Sequence, residues 1–328
     1  MGGDFAPRSI IDGALAAARH LDLGLALVGP EPVIRDELSR HPDSQQLDIH
    51  VIDAPEVVGM GEAPTAALRR KARSSIRLAA GEVAAGRADA LVSAGHTGAT
   101  VMAAYAAFGM LAGVDRPALA AAIPSGDRLG ILLDVGANAD CRAAHLLQFA
   151  AMGSMYARIQ LGIDHPRVGL LSIGEEEGKG NELIREAHQL LKNSTVNFVG
   201  NVEARDVYKG GADVIVCDGF TGNIVLKASE GLVDTVERLL SEELSRTFSG
   251  MMGSLLSRRA FRRFKRRLDY TEYGGAPLLG VGAVTIVGHG RSSAKAVRNA
   301  VAMAHRFATD GFIRRVEQDI ATVSSASA

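Results

Sequence analysis

Val168-Gly169-Leu170-Leu171-Ser172-Ile173-Gly174-Glu175-Glu176-Glu177-Gly178-Lys179-Gly180-Asn181 is the stretch that decides the fold. An apolar run enters a glycine-rich turn, and a helical pattern leaves it from Glu182, so it reads as strand, turn, helix. In an open α/β sheet such a turn lies outside the carboxyl end of a strand, where ligands bind. Glycines admit close backbone approach, and a helix N-terminus offers free N–H donors to an anion. Lys179 adds a cation. Glu175, Glu176 and Glu177 crowd it with the opposite charge, which fits a solvated acidic loop equally well.

Working outward, the same alternation repeats. Leu25–Val28, Ile49–Ile52, Leu119–Ile123, Leu129–Leu133, Asn197–Val199, Val214–Cys217 and Val284–Val287 read as strands. Ala14–His20, Ile34–Arg40, Thr100–Met110, Ala143–Leu161 and a terminal segment from about Ala294 to Ile320 read as helices. Ala66–Ala85 reads as one long helix carrying Arg69, Arg70, Lys71, Arg73 and Arg77. β-then-α order predicts a three-layer α/β/α domain with a mostly parallel sheet and helices on both faces. Residues 232–268 break the alternation with two successive helices, expected as a helical hairpin projecting from a single domain that spans 1–328.

Composition narrows the function classes. The chain has 328 residues, 47% of them hydrophobic, enough for a large core. A net charge of −1 offers no global field to nucleic acid, and scarce aromatics with no tryptophan argue against base stacking. Cys141 and Cys217 make neither a disulfide framework nor a zinc set, so a reducing cytoplasm is the simplest compartment. The apolar runs are too short to span a bilayer and no signal peptide opens the chain, so a membrane would be met from its surface.

Several strands end in polar, glycine-bearing turns: Ser93–Gly98, Asp134–Asn138, Ser172–Asn181, Asp218–Asn223 and Gly288–Ser293. A parallel sheet would place all of them on one edge, around one cleft holding His96, Thr97, Asn138, Lys179, Asn223 and His289. That inventory suits an anionic ligand and a developing oxyanion. Gly174 to Lys179 misses a phosphate-binding P-loop by one residue and lacks the Ser or Thr that would hold magnesium. No dinucleotide fingerprint and no Gly-x-Ser-x-Gly elbow occurs. Cys217, inside an apolar strand, is expected in the core, and Cys141 has weak support as a nucleophile.

Arg258–Leu268 is strongly basic, with Leu256, Ala260, Phe261, Phe264 and Leu268 at three- or four-residue steps. Such a helix can lie on an anionic membrane or dock an acidic protein, and a core or dimerisation helix with a solvated outer face gives the same pattern. Leu255, Leu256, Phe261 and Phe264 are the expected contacts.

Met1-Gly2-Gly3-Asp4, Ser93-Ala94-Gly95-His96-Thr97-Gly98-Ala99, Asp134-Val135-Gly136-Ala137-Asn138, Gly174–Gly180, Asp218-Gly219-Phe220-Thr221-Gly222-Asn223, Tyr273-Gly274-Gly275-Ala276 and His289-Gly290-Arg291-Ser292 stand in one order and spacing. Together they resemble the bacterial phosphate acyltransferase family (PlsX, acyl-carrier-protein:phosphate acyltransferase), over nearly the whole chain. The resemblance implies a fold akin to the isocitrate/isopropylmalate dehydrogenases and transfer of a fatty acyl group from acyl-ACP to inorganic phosphate. The acyl phosphate would feed glycerol-3-phosphate acylation in phospholipid synthesis. It also implies a cytoplasmic homodimer loosely held at the inner membrane surface, with a possible glycerol-3-phosphate acyltransferase partner. The family has a short apolar strand before Met-Gly-Gly-Asp. Its absence here is expected to leave a gap or raw edge in the sheet, and suggests a start assigned too late. A phosphotransacetylase-like acyl-CoA:phosphate transferase and a nicotinamide-dependent dehydrogenase on the same fold are the alternatives.

The reaction needs no cofactor, metal or covalent intermediate, because hydrogen phosphate is an adequate nucleophile and a thiolate a tolerable leaving group. With that reaction in view, Lys179 and the amides of Gly178 and Gly180 are expected to bind phosphate. His96 and Thr97 would donate to phosphate or the oxyanion, Asn138 and Asn223 would orient the thioester, and His289 would protonate the leaving sulfur. Gly95, Gly98, Asp134, Gly136, Glu177, Asp218, Gly219, Thr221, Gly222, Gly274, Gly275 and Ser292 complete the expected binding set.

Overall fold

The computed structural model describes residues 1–259, 261 and 274–326. In chain order its elements are α1 (Arg8–Ala18), β1 (Leu25–Gly29), α2 (Glu31–Ser39), β2 (Ile49–Asp53), α3 (Pro64–Arg70), α4 (Ser75–Ala84), β3 (Ala90–Ser93) and α5 (Thr97–Phe108). Then follow β4 (Ala118–Ser125), β5 (Arg128–Leu133), α6 (Ala143–Leu161), β6 (Val168–Ser172), α7 (Glu182–Lys192), β7 (Phe198–Glu203) and β8 (Val214–Val216). The last are α8 (Gly219–Ser245), α9 (Phe248–Leu256), β9 (Ala276–Leu279), β10 (Val284–Val287), α10 (Ala294–Thr309) and α11 (Phe312–Ala326).

The central sheet runs β3-β10-β9-β4-β5-β8-β6-β7. Parallel pairing joins β3 to β10 and links β5, β8, β6 and β7, whereas β9 pairs antiparallel with both β10 and β4, and β4 antiparallel with β5. The sheet is mostly parallel, but its two parallel sets run in opposite directions. One face is covered by α6, α10 and α11 over a core that includes Ile131, Leu133, Phe149, Tyr156, Ile286 and Phe307. The other face carries α5 and the start of α8 over Leu119, Leu132, Ile215, Leu278 and Val287. These strands read as near-continuous apolar runs because both faces are buried.

The opposed directions correct the expectation that all the turns share one edge. Ser93 pairs with Val287, and Val287 with Ala276. Leu119 pairs with Leu278, Ala121 with Leu132, Leu132 with Ile215, and Ile215 with Gly169. Two residues of antiparallel register carry the Leu119–Leu278 pair on to Ala121 beside Ala276, so all these residues lie on one line across the sheet. β3 and β10 end on that line from one side. β5 and β8 end one residue past it from the other. The turns after these four strands therefore meet head to head in the middle of the sheet. β6 continues three residues beyond the line to Ser172, roughly 10 Å at about 3.3 Å per residue.

A smaller layer carries the N-terminal part. β1 and β2 form a two-stranded parallel sheet packed by α1 and α2 around Ile11, Leu15, Leu25, Leu27 and Ile34. Between β1 and β3 lies a cavity of about 770 Å³ lined by Leu25–Val28 on one side and Ala90–Ala94 on the other.

The long helix expected over 66–85 is two helices, α3 and α4. Tertiary contacts override propensity at the break. Lys71 Nζ donates to the Val57 carbonyl at 2.7 Å, the Arg73 amide donates to Glu56 at 2.7 Å, and Ser74 is fully buried. β9 falls where the sequence reads as a turn, because Gly-Gly-Ala-Pro carries no strand signal of its own. Helix α8 leaves the sheet after its first turns: Gly219 and Gly222 are buried and Val225 and Leu226 pack on the sheet's core, while Leu232, Val236, Leu239 and Leu240 are exposed, and α9 packs against it.

Candidate active site

Where the strand ends meet, a cleft of about 500 Å³ opens. Its walls include Leu119, Ala121, Val135, Leu226, Val287, Ala296, Val297 and Ala300, and its polar groups include His96, Thr97, Asn223, Lys227, Glu230, His289 and Ser292. An apolar body with a few converging polar groups is the usual make-up of a small-molecule site.

Three helix N-termini face this space. α5 begins at Thr97, α8 at Gly219 and α10 at Ala294, and first-turn residues of each line the cleft. Each is capped, by His96, Asp218 and Ser293, whose side chains accept from Ala99, Thr221 and Ala296 amides. Aligned helix dipoles place partial positive charge there and favour a bound anion.

Asp134 builds the turn beneath. It is fully buried and accepts from the amides of Leu119, Gly136 and Ala137 on one oxygen, and from the Asn138 amide and side chain on the other, all within 3.0 Å. Burial pushes its pKa up, opposed by these N–H donors, which favour the charged form. Asn138 Nδ2 also donates to the Pro117 carbonyl at 2.6 Å. The start of α8 seats on this turn, and a Cβ on Gly222 would collide with the Asp134 carbonyl. Gly136, at φ +138°, turns the chain past Asn223.

The two histidines are both engaged. His96 Nδ1 accepts from the Ala99 amide at 3.3 Å, which leaves the ring proton on Nε2, 3.0 Å from the Glu62 carbonyl. His289 Nδ1 accepts from the Arg291 amide at 3.1 Å, and its Nε2 lies 2.9 Å from Lys227 Nζ. Burial, then the Lys227 charge, push the His289 pKa down, so its ring is neutral at neutral pH. Lys227 also pairs with Glu230 at 3.2 Å.

The expected residues therefore separate into groups. His96, Thr97, Gly136, Gly219, Asn223, Gly274, Gly275, His289 and Ser292 line the cleft. Gly95, Gly98, Asp134, Asn138, Asp218, Thr221 and Gly222 belong to the turns and caps behind it. Glu177, Gly178, Lys179 and Gly180 stand apart, on the turn after β6. β6 lies five strand spacings from β10, roughly 24 Å at about 4.8 Å each, but next to β8, and its turn starts three residues beyond the line on which the cleft is centred. Lys179 is exposed there, and Glu177 pairs not with it but with Lys192 at 3.0 Å and Gln189 at 2.6 Å on α7, which hold its carboxyl below the ordinary range. Of the expected surface contacts, Leu255 and Leu256 are exposed, Phe261 is half-buried, and Phe264 lies outside the described residues.

Sequence reasoning missed Lys227, Glu230, Met60 and Phe220 in the cleft lining. The signal for Lys227 was available: it follows Asn223 by four residues on a helix, hence on the same face. Both cysteines are poor nucleophiles. Burial pushes Cys141 up to about 12 and Cys217 well above its ordinary value. Among the described residues, the grouping that could hold a metal is Asp12, Glu37 and His41, on α1, on α2 and just after α2, away from the cleft.

Residues 1–315 match the model of a family described as fatty acid synthesis protein. A phosphate acyltransferase of Geobacter sulfurreducens is 47% identical over 322 residues, covering 98% of this chain and 93% of the relative. A solved phosphotransacetylase from Streptococcus pyogenes shares the fold at TM-score 0.54 and 17% identity, covering 93% of this chain and all of that one. A 4-hydroxythreonine-4-phosphate dehydrogenase from Klebsiella pneumoniae does so at TM-score 0.52 and 14% identity, over 92% of this chain and 94% of the other. The architecture is thus the one that phosphotransacetylases share with a dehydrogenase.

Proposed function

This chain belongs to the fatty acid synthesis protein family, among the phosphate acyltransferases, and from that premise we propose that it moves a fatty acyl group from the thioester of acyl-ACP to inorganic phosphate, giving an acyl phosphate for phospholipid synthesis. The observation that carries this reading is the meeting of three helix N-termini and Lys227 over an apolar-walled cleft. Anion and acyl chain then have complementary walls within one space.

In the proposed reaction a phosphate oxygen attacks the thioester carbonyl, forming the new C–O bond and a tetrahedral oxyanion. The oxyanion collapses, the C–S bond breaks, and the carrier leaves as a thiolate that takes one proton. Lys227, Thr97 and Ser292 hold phosphate. Asn223 donates to the oxyanion, where a well-placed donor contributes roughly 3–4 kcal/mol. Once phosphate takes Lys227, neutral His289 in its Nδ1–H tautomer accepts the proton of the attacking hydrogen phosphate at Nε2 and passes it to sulfur. Holding phosphate against the thioester supplies the proximity effect.

Peripheral membrane association belongs to the same reading. No described helix is long and apolar enough to cross a membrane, and the exposed Leu232, Val236, Leu239, Leu240, Met252, Leu255 and Leu256 of α8 and α9 support contact with its surface. Homodimer formation and an acyltransferase partner that consumes the acyl phosphate complete it.

The test supplies radiolabelled phosphate with palmitoyl-ACP or palmitoyl-CoA and measures label in the extracted acyl phosphate. Faster label incorporation with the carrier-bound donor is expected. Equal or better use of the CoA thioester would overturn the carrier-protein part, and no product from either would overturn the whole.

A further inference from the structure

We infer that the acyl chain leaves the cleft past Ala122 of β4 and ends in a second cavity under α10, which makes that cavity the acyl-length ruler. The inference rests on the acyl-transfer reading above.

The second cavity, of about 260 Å³, is lined by apolar side chains of both the sheet and the helices, including Leu129, Ile131, Tyr156, Leu161, Ala302 and Met303. Ala122 is the lining residue common to it and to the cleft. Both lie along α10, on neighbouring faces of it. Ala296, Val297 and Ala300 line the cleft, and Asn299, Ala302, Met303 and Arg306 line the cavity. From Ala296 to Arg306 the helix rises about 15 Å at 1.5 Å per residue. The two spaces thus follow one another at a spacing suited to an extended chain.

β4 lines the passage with small residues, and the pairs that join it to β9, Ala118–Leu279 and Leu119–Leu278, stop short of Ala122. Ala120, Ala121 and Ala122 follow one another in its middle. Ala120 is fully buried and points to the same face as Ala122, yet Ala122 is only half-buried although it lies within the central sheet. A larger side chain would fill the opening between the two spaces. At the far end Arg306 donates to Gln160 at 2.7 Å, joining α10 to the end of α6 across the mouth. A chain reaching this pair meets a polar stop, so the distance from the thioester carbonyl to the Gln160–Arg306 bridge sets the preferred length.

The experiment compares octanoyl and palmitoyl donors in acyl phosphate formation by the full chain and by Ala302→Phe, which fills the cavity from α10. The palmitoyl to octanoyl ratio of kcat/KM is expected to fall at least about tenfold, the effect of burying roughly two fewer methylenes. Gln160→Ala, at the mouth, is expected to raise the relative use of a stearoyl donor. Octanoyl turnover reports that each variant is folded, and Ala302→Leu carries the same test should the phenylalanine not fold. Unchanged length profiles in active variants would overturn the inference and leave the acyl-transfer reading intact. A wild-type chain that forms no acyl phosphate from either donor would overturn that reading and this inference with it.

Discussion

Replacing Lys227 by methionine removes the cation nearest the proposed phosphate position while keeping the length of the side chain. A hydrogen bond to a charged group contributes about 1.5–3 kcal/mol, which is roughly ten- to 150-fold in kcat/KM for phosphate. The local geometry favours the lower half of that range. Lys227 is 49% exposed at its side chain and already shares its charge with Glu230 at 3.2 Å. The same variant leaves Glu230, 17% exposed, without that cation beside an incoming anion. Lys227→Met with Glu230→Gln is therefore expected to recover part of the loss. A second readout follows from His289. The Lys227 charge is one of the two leading causes of its depressed pKa, so its removal moves the acidic limb of the kcat/KM profile to higher pH. The assay is initial-rate acyl phosphate formation at varied phosphate and saturating acyl donor, from about pH 5.5 to 8.5. An unchanged phosphate KM and kcat in Lys227→Met, with a large loss in Lys179→Ala, would refute the placement of phosphate in the cleft and return it to the turn after β6.

Asp134→Ala leaves four backbone amides and the Asn138 side chain without their acceptor; each buried donor so orphaned costs about 1–3 kcal/mol, so a loss of several kcal/mol is expected in urea denaturation. Cys141→Ser retains turnover, and iodoacetamide near pH 8 leaves wild-type activity intact, because a thiol held at about 12 is not a thiolate there. His289 sits below its ordinary pKa when folded, so the unfolded chain takes up the extra proton first as pH falls below about 6.5, and stability declines from there. His145 is shifted in the same direction. His289→Gln should then show a smaller drop in Tm between pH 7.5 and 5.5 than wild type.

Much of this was legible in the residues. The strand-turn-helix repeats around Ser93, Asp134 and Asp218 give the α/β layers, because each pairs an apolar run with a polar residue and a small-residue turn. The direction of the strands was not legible. β9 is four residues entered from Gly274-Gly275 and containing Pro277, a composition that reads as a turn, yet it is the strand that reverses the sheet beside β10. The two sets are opposed because β4 pairs antiparallel with β5, and reading them as one edge put the turn after β6 beside those after β3 and β10. Likewise Asp134 and Asn138 read as ligand groups because a polar side chain after a strand looks the same whether it faces solvent or its own backbone. Burial separates the two cases, and burial depends on where the start of α8 seats.

The reversal also explains why one cleft can serve both halves of an acyl phosphate. In a wholly parallel sheet the turns line one edge, and what they hold lies outside the strands. Here β3 and β10 arrive at a line through Ala121 from one side, and β5 and β8 arrive from the other. The helix starts of α5, α8 and α10 thus gather over the middle of the sheet rather than beyond its rim. The floor beneath them is sheet, and β4 supplies it with the small residues Ala120, Ala121 and Ala122. Polar ceiling and apolar floor follow from a single topological fact. A substitution that enlarges the side chain at Ala122 should therefore act on acyl length, whereas one at Thr97 or Lys227 should act on phosphate, although all of them line the same cleft.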